Sequence, residues 1–230
     1  MIFSKGLDID DSGTLLGIGA CKDKKINIPL GVECIGNSAF YDCTQLEEVN
    51  IPDSVTIIDD FAFTYCSNLK KITIPNTVSE IGDFVFQYCY KLTDITLPSS
   101  ISRIGNGLFE YCGNLVDVNI PNNVRNIGHN AFSCCSSIIS VVIPNSVEEI
   151  GDSAFLGCDN LIKVKMSDLI KIIKQKAFWS CKNLENISIP DCIENIGLYT
   201  FDSEKLKITC SKNVEEKIKK TANWYDSWFE

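Results

Sequence analysis

The chain has 230 residues, 45% hydrophobic and 22% charged, with a formal charge of −9 from 21 basic and 30 acidic residues. That is the composition of a folded protein, and the acidic balance speaks against nucleic acid as a partner, which calls for a clustered basic surface. One histidine in the whole chain leaves no room for most hydrolytic triads, or for metal sites built on several imidazoles.

The start, MIFSKGLDIDDSG, has no positive region followed by an apolar stretch. No signal peptide is read there; either the chain stays in the cytoplasm or a leader lies outside this sequence. No apolar run approaches the roughly 20 residues that span a bilayer, so no membrane insertion is expected. Within residues 1–25, LDIDDSGTLLGI places two short apolar runs around a Ser–Gly turn, which predicts a β-hairpin capping the N-terminal edge. The nearby GIGACK, around Gly17 and Gly19, lacks the spacing and the Lys–Ser/Thr end of a phosphate loop.

Residues 26–208 repeat. All seven prolines fall in one column at a step of 23: Pro29, Pro52, Pro75, Pro98, Pro121, Pro144 and, after a slot held by Ser167, Pro190. Phe40, Phe63, Phe86, Phe109, Phe132, Phe155, Phe178 and Phe201 form a second column. Isoleucines from Ile35 to Ile196 form a third, and Cys43, Cys66, Cys89, Cys112, Cys135, Cys158 and Cys181 a fourth. In each unit, an alternating segment such as Ile72–Ile74 predicts a strand with one buried face, ended by the proline. The Ile81–Gly82 pair predicts a turn in which glycine takes positive φ. The column Asn37, Asp60, Asp83, Asn106, His129 and Asp152 offers N-caps to a following helical or 3₁₀ turn. One unit cannot bury its apolar face alone, but stacked units can. At about 4.8 Å per strand, eight units make a rod on the order of 40 Å long.

The last unit is a residue short between Phe201 and Leu206, as at the end of an array. In residues 209–230, Val214 and Ile218 are four apart and Asn213 with Glu216 fits a capping box, which predicts a helix over 213–222. Trp224, Tyr225, Trp228 and Phe229 would then cover the final unit.

The unit IPNSVEEIGDSAFLGCDNLIKV resembles the BspA-type leucine-rich repeat over roughly residues 26–208. Departures are Asp59 and Lys174 where the pattern has glycine, and Ser167 where it has proline. The resemblance implies an α/β leucine-rich-repeat solenoid: a β-dominated right-handed stack, a parallel sheet on the concave face, short 3₁₀ or helical turns on the convex side, all in one domain. It also implies a surface or secreted protein involved in adhesion or host contact.

Little in the sequence carries chemistry. The seven column cysteines read as buried, reduced thiols, while Cys21, Cys34, Cys134, Cys192 and Cys210 lie off that column and leave Cys21–Cys34 and Cys192–Cys210 open as bridges. His129 near Cys134 and Cys135 reads as a turn residue rather than a catalytic base. No C-x-x-C pair supports zinc. No catalytic residue, cofactor or metal is expected, and the chain is expected to be a monomer.

Binding surfaces are better supported. Outward on the strands lie Asn50, Thr73, Thr96, Asn119, Val142, Lys165 and Ser188, and two residues earlier Glu48, Lys71, Asp94, Asp117, Ser140, Lys163 and Asn186. These rows vary while the core columns do not. Tyr65, Tyr88 and Tyr111 line up just before the cysteine column, and Val116, Ile139 and Ile162 form an apolar row. The reading is a noncatalytic module that holds a protein or glycan partner on the concave face; the competing reading is a structural spacer or display stalk.

Overall fold

The computed structural model describes residues 6–19, 21–203, 205–220 and 229. Each 23-residue unit makes one coil of a β-solenoid of about eight turns, and two parallel ladders run along its axis. The long ladder joins Lys25–Asn27, Glu48–Asn50, Lys71–Thr73, Asp94–Thr96 and Asp117–Val118. It resumes with Ser140–Val142, Lys163–Lys165, Asn186–Ser188 and Lys207–Thr209. Its inner three-residue strands read exposed–buried–exposed, as alternation demands. The step is 23 until the last pair, Asn186↔Lys207, which is 21 and so closes the array more abruptly than the loss at Leu206 suggests.

The second ladder corrects a sequence expectation. The Ile-Gly segments are not mere turns. Cys34–Ile35, Ile57–Ile58 and Glu80–Ile81 pair in parallel, as do Arg103–Ile104 through Asn195–Ile196. Nor do their glycines need positive φ. A Cβ built on Gly151 would sit 2.7–2.9 Å from the backbone of Gly128 and His129 in the preceding coil. Glycine is there because two backbones touch.

Positive φ lies elsewhere, in the segments expected to be helical. These are neither α- nor 3₁₀-helix; the only helix among the described residues is Lys212–Lys220. Phe61 (φ 57°) and Tyr65 (φ 62°) are left-handed, and their counterparts repeat this in coil after coil, from Ser38 to Tyr199 and from Asp42 to Ser180. The consequence is an alternation of amides. Phe61, Phe63 and Tyr65 donate to Asp83, Val85 and Gln87 of the next coil, while Ala62, Thr64 and Cys66 donate three residues back within their own. A left-handed non-glycine residue costs roughly 1–2 kcal/mol, and here each one aims an N–H along the stack.

The Asn/Asp column likewise caps the neighbouring coil and not a helix: Asn106 N–H donates to Asp83 Oδ1 at 2.9 Å, and His129 N–H to Asn106 Oδ1 at 2.9 Å. Ser167, in the slot without proline, is fully buried. Its hydroxyl donates to Val147 O and accepts from the Leu169 N–H.

The phenylalanine column is one continuous stack. Ring centroids lie 4.9–5.9 Å apart from Phe40 to Phe201. Beside it, each column cysteine from Cys66 to Cys181 donates its thiol to the phenylalanine carbonyl of the preceding coil, as Cys66 Sγ does to Phe40 O at 3.2 Å. All twelve cysteines are free. Burial first, and the neighbouring Cys43 thiol second, push the Cys21 thiol pKa up.

At the N-terminus, Leu7–Ile9 pairs antiparallel with Thr14–Ile18, which pairs in parallel with Cys34–Ile35. Asp10 Oδ1 accepts the N–H of Ser12 and of Thr14 in the connecting turn. At the other end the helix is capped by Ser211, whose side chain faces the Val214 N–H, and not by Asn213, which lies inside it. Val214 and Ile218 are buried, and Lys219 Nζ stands 5.1 Å from the Phe229 ring. Trp224, Tyr225 and Trp228, and the last two residues expected in the helix, lie outside the described residues.

Three substitutions test this packing in urea unfolding. Phe109→Ala, between Phe86 and Phe132 in the stack, should lower stability by about 3–5 kcal/mol. Gly151→Ala should cost roughly 1–3 kcal/mol or more through backbone collision. Gly113→Ala should change little, because its Cβ would meet only Ser136 Oγ at 3.7 Å.

Candidate functional site

The expected site residues fall into two separate groups. Glu48, Asn50, Lys71, Thr73, Asp94, Thr96, Asp117, Val142 and Lys165 project from the long ladder, and Asn119 directly follows Asp117–Val118; all are exposed. Tyr65, Tyr88 and Tyr111 belong instead to the left-handed turn segments. The structure brings the strand residues together with one another and the tyrosines with one another, but it does not join the two groups.

On the N-terminal half of the strand face, lysines and carboxylates one repeat apart pair along the columns. Lys25 meets Glu48 at 2.8 Å and Lys71 meets Asp94 at 3.7 Å. Asn50 Nδ2 donates to Asn27 Oδ1 at 2.5 Å. Glu47 sits between Lys24 at 2.8 Å and Lys70 at 2.5 Å. Sequence reading took Glu47 and Glu48 for a solvated acidic pair and did not pair Glu47 with lysines, although the charges at 24, 47 and 70 share a column. A shallow depression of about 350 Å³ runs over this region, lined by Glu47, Glu48, Asn50, Lys70, Lys71 and Thr73. It is open to solvent.

The C-terminal half differs. Val116, Ile139, Val142 and Ile162 are 41–57% exposed, so the apolar row is surface and not hidden core. It crosses the interruption in the long ladder between Asp117–Val118 and Ser140–Val142.

The tyrosine rings stack at 4.4 Å (Tyr65–Tyr88) and 4.8 Å (Tyr88–Tyr111). Tyr41 meets Tyr65 edge-on and Tyr90 leans against Tyr88. Phe61 and Phe84 stack at 5.2 Å in the other left-handed column, and Gly107 leaves the room that the Phe84 ring fills. Sequence reading missed Tyr41, Tyr90, Phe61 and Phe84; the step of 23 from Phe61 to Phe84 was the available signal. Because the tyrosine faces cover each other, the comb offers edges and hydroxyls. A sugar stacking on an aromatic needs an open face. Burial raises the Tyr88 pKa, and the Cys134 thiol, with burial, raises that of Tyr111.

Nothing assembles around His129 for nucleophilic chemistry. Its Nδ1 is 2.7 Å from Asp152 Oδ2, while the buried Cys135 thiol is committed to Phe109 O at 3.0 Å. Among the described residues there is no group of three or more His, Cys, Asp and Glu placed to hold a metal ion.

The Lys24 and Lys70 ammoniums, in that order, hold the Glu47 carboxyl down at a pKa of about 2. Its contribution to stability is therefore present above the ordinary glutamate value of about 4.3 and lost as pH falls through about 2. An NMR titration of the Glu47 carboxyl should show a midpoint near 2 that rises toward the ordinary value in Lys24→Ala/Lys70→Ala; an unmoved midpoint would contradict the pairing.

The geometry agrees with what known proteins show. The model of the BspA type leucine rich repeat region matches residues 19–138 and 125–224, in six copies. The crystal structure of a leucine rich repeat protein from T. pallidum, TpLRR, is 31% identical. That match covers 86% of this chain and 95% of that one, with a TM-score of 0.72. A leucine-rich repeat protein from Eubacterium ventriosum shares the fold at 22% identity and a TM-score of 0.58, over 98% of this chain and 53% of that one. So does the pneumococcal vaccine antigen PcpA, at 22% identity and a TM-score of 0.54, over 83% and 52%. Among curated proteins, none matches. By the family match and the TpLRR likeness together, the chain belongs to the BspA-type leucine-rich repeat family.

Proposed function

We propose that this chain is a noncatalytic recognition module that holds a protein partner on its strand face, displayed at a cell surface or outside the cell. The observation that carries the reading is the contrast between constant and varied columns. The buried rows keep Phe, Ile and Cys from coil to coil, whereas the outward row changes through Asn50, Thr73, Thr96, Asn119, Val142, Lys165 and Ser188. A solenoid presents such rows as an extended preformed surface, so a partner binds without first ordering it. A protein partner fits better than a glycan, since the tyrosine faces are mutually covered. Both readings of place, surface and secreted, rest on family membership.

A spacer without a ligand is the second reading, favoured by the self-pairing of Lys25–Glu48 and Lys71–Asp94, which leaves little free charge there. Exposed Val116, Ile139, Val142 and Ile162 speak against it, because a stalk has no use for an apolar patch.

The two separate in a display experiment. Peptides panned on the folded protein should lose about tenfold or more in affinity toward Lys71→Glu/Asn119→Arg/Lys165→Glu, by loss of charge and shape complementarity. They should keep it toward Arg125→Glu, beyond the strand face. Panning that yields no binder sensitive to the strand-face variant would leave the spacer.

A further inference from the structure

The strand face carries a discontinuity of charge that its own packing does not use. In the first coils each lysine on the row has a carboxylate in the adjoining coil, as in Lys25–Glu48 and Lys71–Asp94. Lys163 and Lys165 have none. Lys163 lies between Ser140 and Asn186, and Lys165 between Val142 and Ser188. Neither makes an ion pair with any described residue, and both are exposed. Immediately beside them stand the exposed apolar side chains of Val142 and Ile162, continued by Ile139 and Val116. Asp117 and Glu185 occupy the same rows beyond the two ends and bound the patch.

Resting on the recognition reading above, we infer that this patch is the docking site for an extended segment of a partner protein that alternates apolar and acidic side chains. The apolar row buries one face of such a segment, and the two unpaired lysines meet its carboxylates. An overall charge of −9 repels acidic partners from most of the molecule, so two lysines without internal partners mark the place where such a segment is attracted. Electrostatic complementarity of this kind sets register and orientation, while the apolar contact supplies area. A basic segment is excluded by the same two side chains.

Fluorescence anisotropy with short labelled peptides tests this. A peptide alternating valine and aspartate should bind the intact protein, more weakly as salt rises, and a valine–lysine peptide should not. Lys163→Glu/Lys165→Glu should weaken the acidic peptide by about tenfold or more with no change in the melting midpoint, and Val142→Asp should do the same. Equal binding of both peptides, or an acidic peptide indifferent to these substitutions, overturns the inference. So does binding to phosphatidylserine vesicles with no peptide binding, or a dimer that Val142→Asp dissociates, which would assign the patch to lipid or to a second copy. Panned binders that lose affinity to Lys71→Glu but not to Lys163→Glu/Lys165→Glu would leave the recognition reading standing and remove only this placement.

Discussion

The structure depends on where each coil sends its backbone amides. A single 23-residue coil has too few internal partners for them. The solution is to give about half of the turn-segment amides, those of Phe61, Phe63 and Tyr65 and their counterparts, to the next coil. The others close i→i−3 turns within the coil. That alternation requires left-handed residues at two fixed places per repeat. It also favours a constant period, because coils of equal length repeat the same amide-to-carbonyl match from one coil to the next. Burial of the phenylalanine stack follows from the same registration, and so does the thiol column, in which a small weak donor satisfies a carbonyl without opening the core. Cysteine is thus more than filler.

With the interior held identical, variation is confined to outward positions. Along the strand face the chain uses that freedom in two ways. The first coils neutralise themselves, lysine against carboxylate at 23-residue intervals. Such exposed pairs add little stability, roughly 0–1 kcal/mol each, but they remove charge that a partner would otherwise meet. The later coils leave apolar and cationic side chains without such compensation. The tyrosine comb is a third surface, built by placing aromatic side chains at left-handed positions that glycine occupies one coil past Cys134. These rings prop one another, which is why they stand as a rigid edge rather than as open platforms.

How much of this was legible in the sequence depends on whether a residue type reveals its backbone. The period, the stack, the buried columns and the strand face were all readable, because Pro52, Phe63, Ile58 and Cys66 recur at one spacing and apolar periodicity reports burial directly. The turn chemistry was not. Sequence rules place positive φ at glycine, and here it falls on Phe61, Tyr65 and Lys176, held there by bonds to a neighbouring coil that no local rule sees. The conserved-looking Gly82 column was read as a turn glycine when it answers to contact between coils. The Asp83 column was read as helix caps for the same reason: the acceptors were recognised, but their donors lie 23 residues away. At the candidate site, the rows were identified residue by residue, whereas the split between paired and unpaired lysines needed ion-pair distances.

Native-state hydrogen exchange followed amide by amide tests the central claim most directly. If inter-coil bonding of the left-handed turns holds the stack, the amides of Tyr65 and Tyr88, whose side chains reach the surface, will exchange as slowly as the strand amide of Ile72, and through the same opening. Exchange at the rate of an open turn, orders of magnitude faster than Ile72, would mean that each coil closes on itself and that the stack is held by its side chains alone.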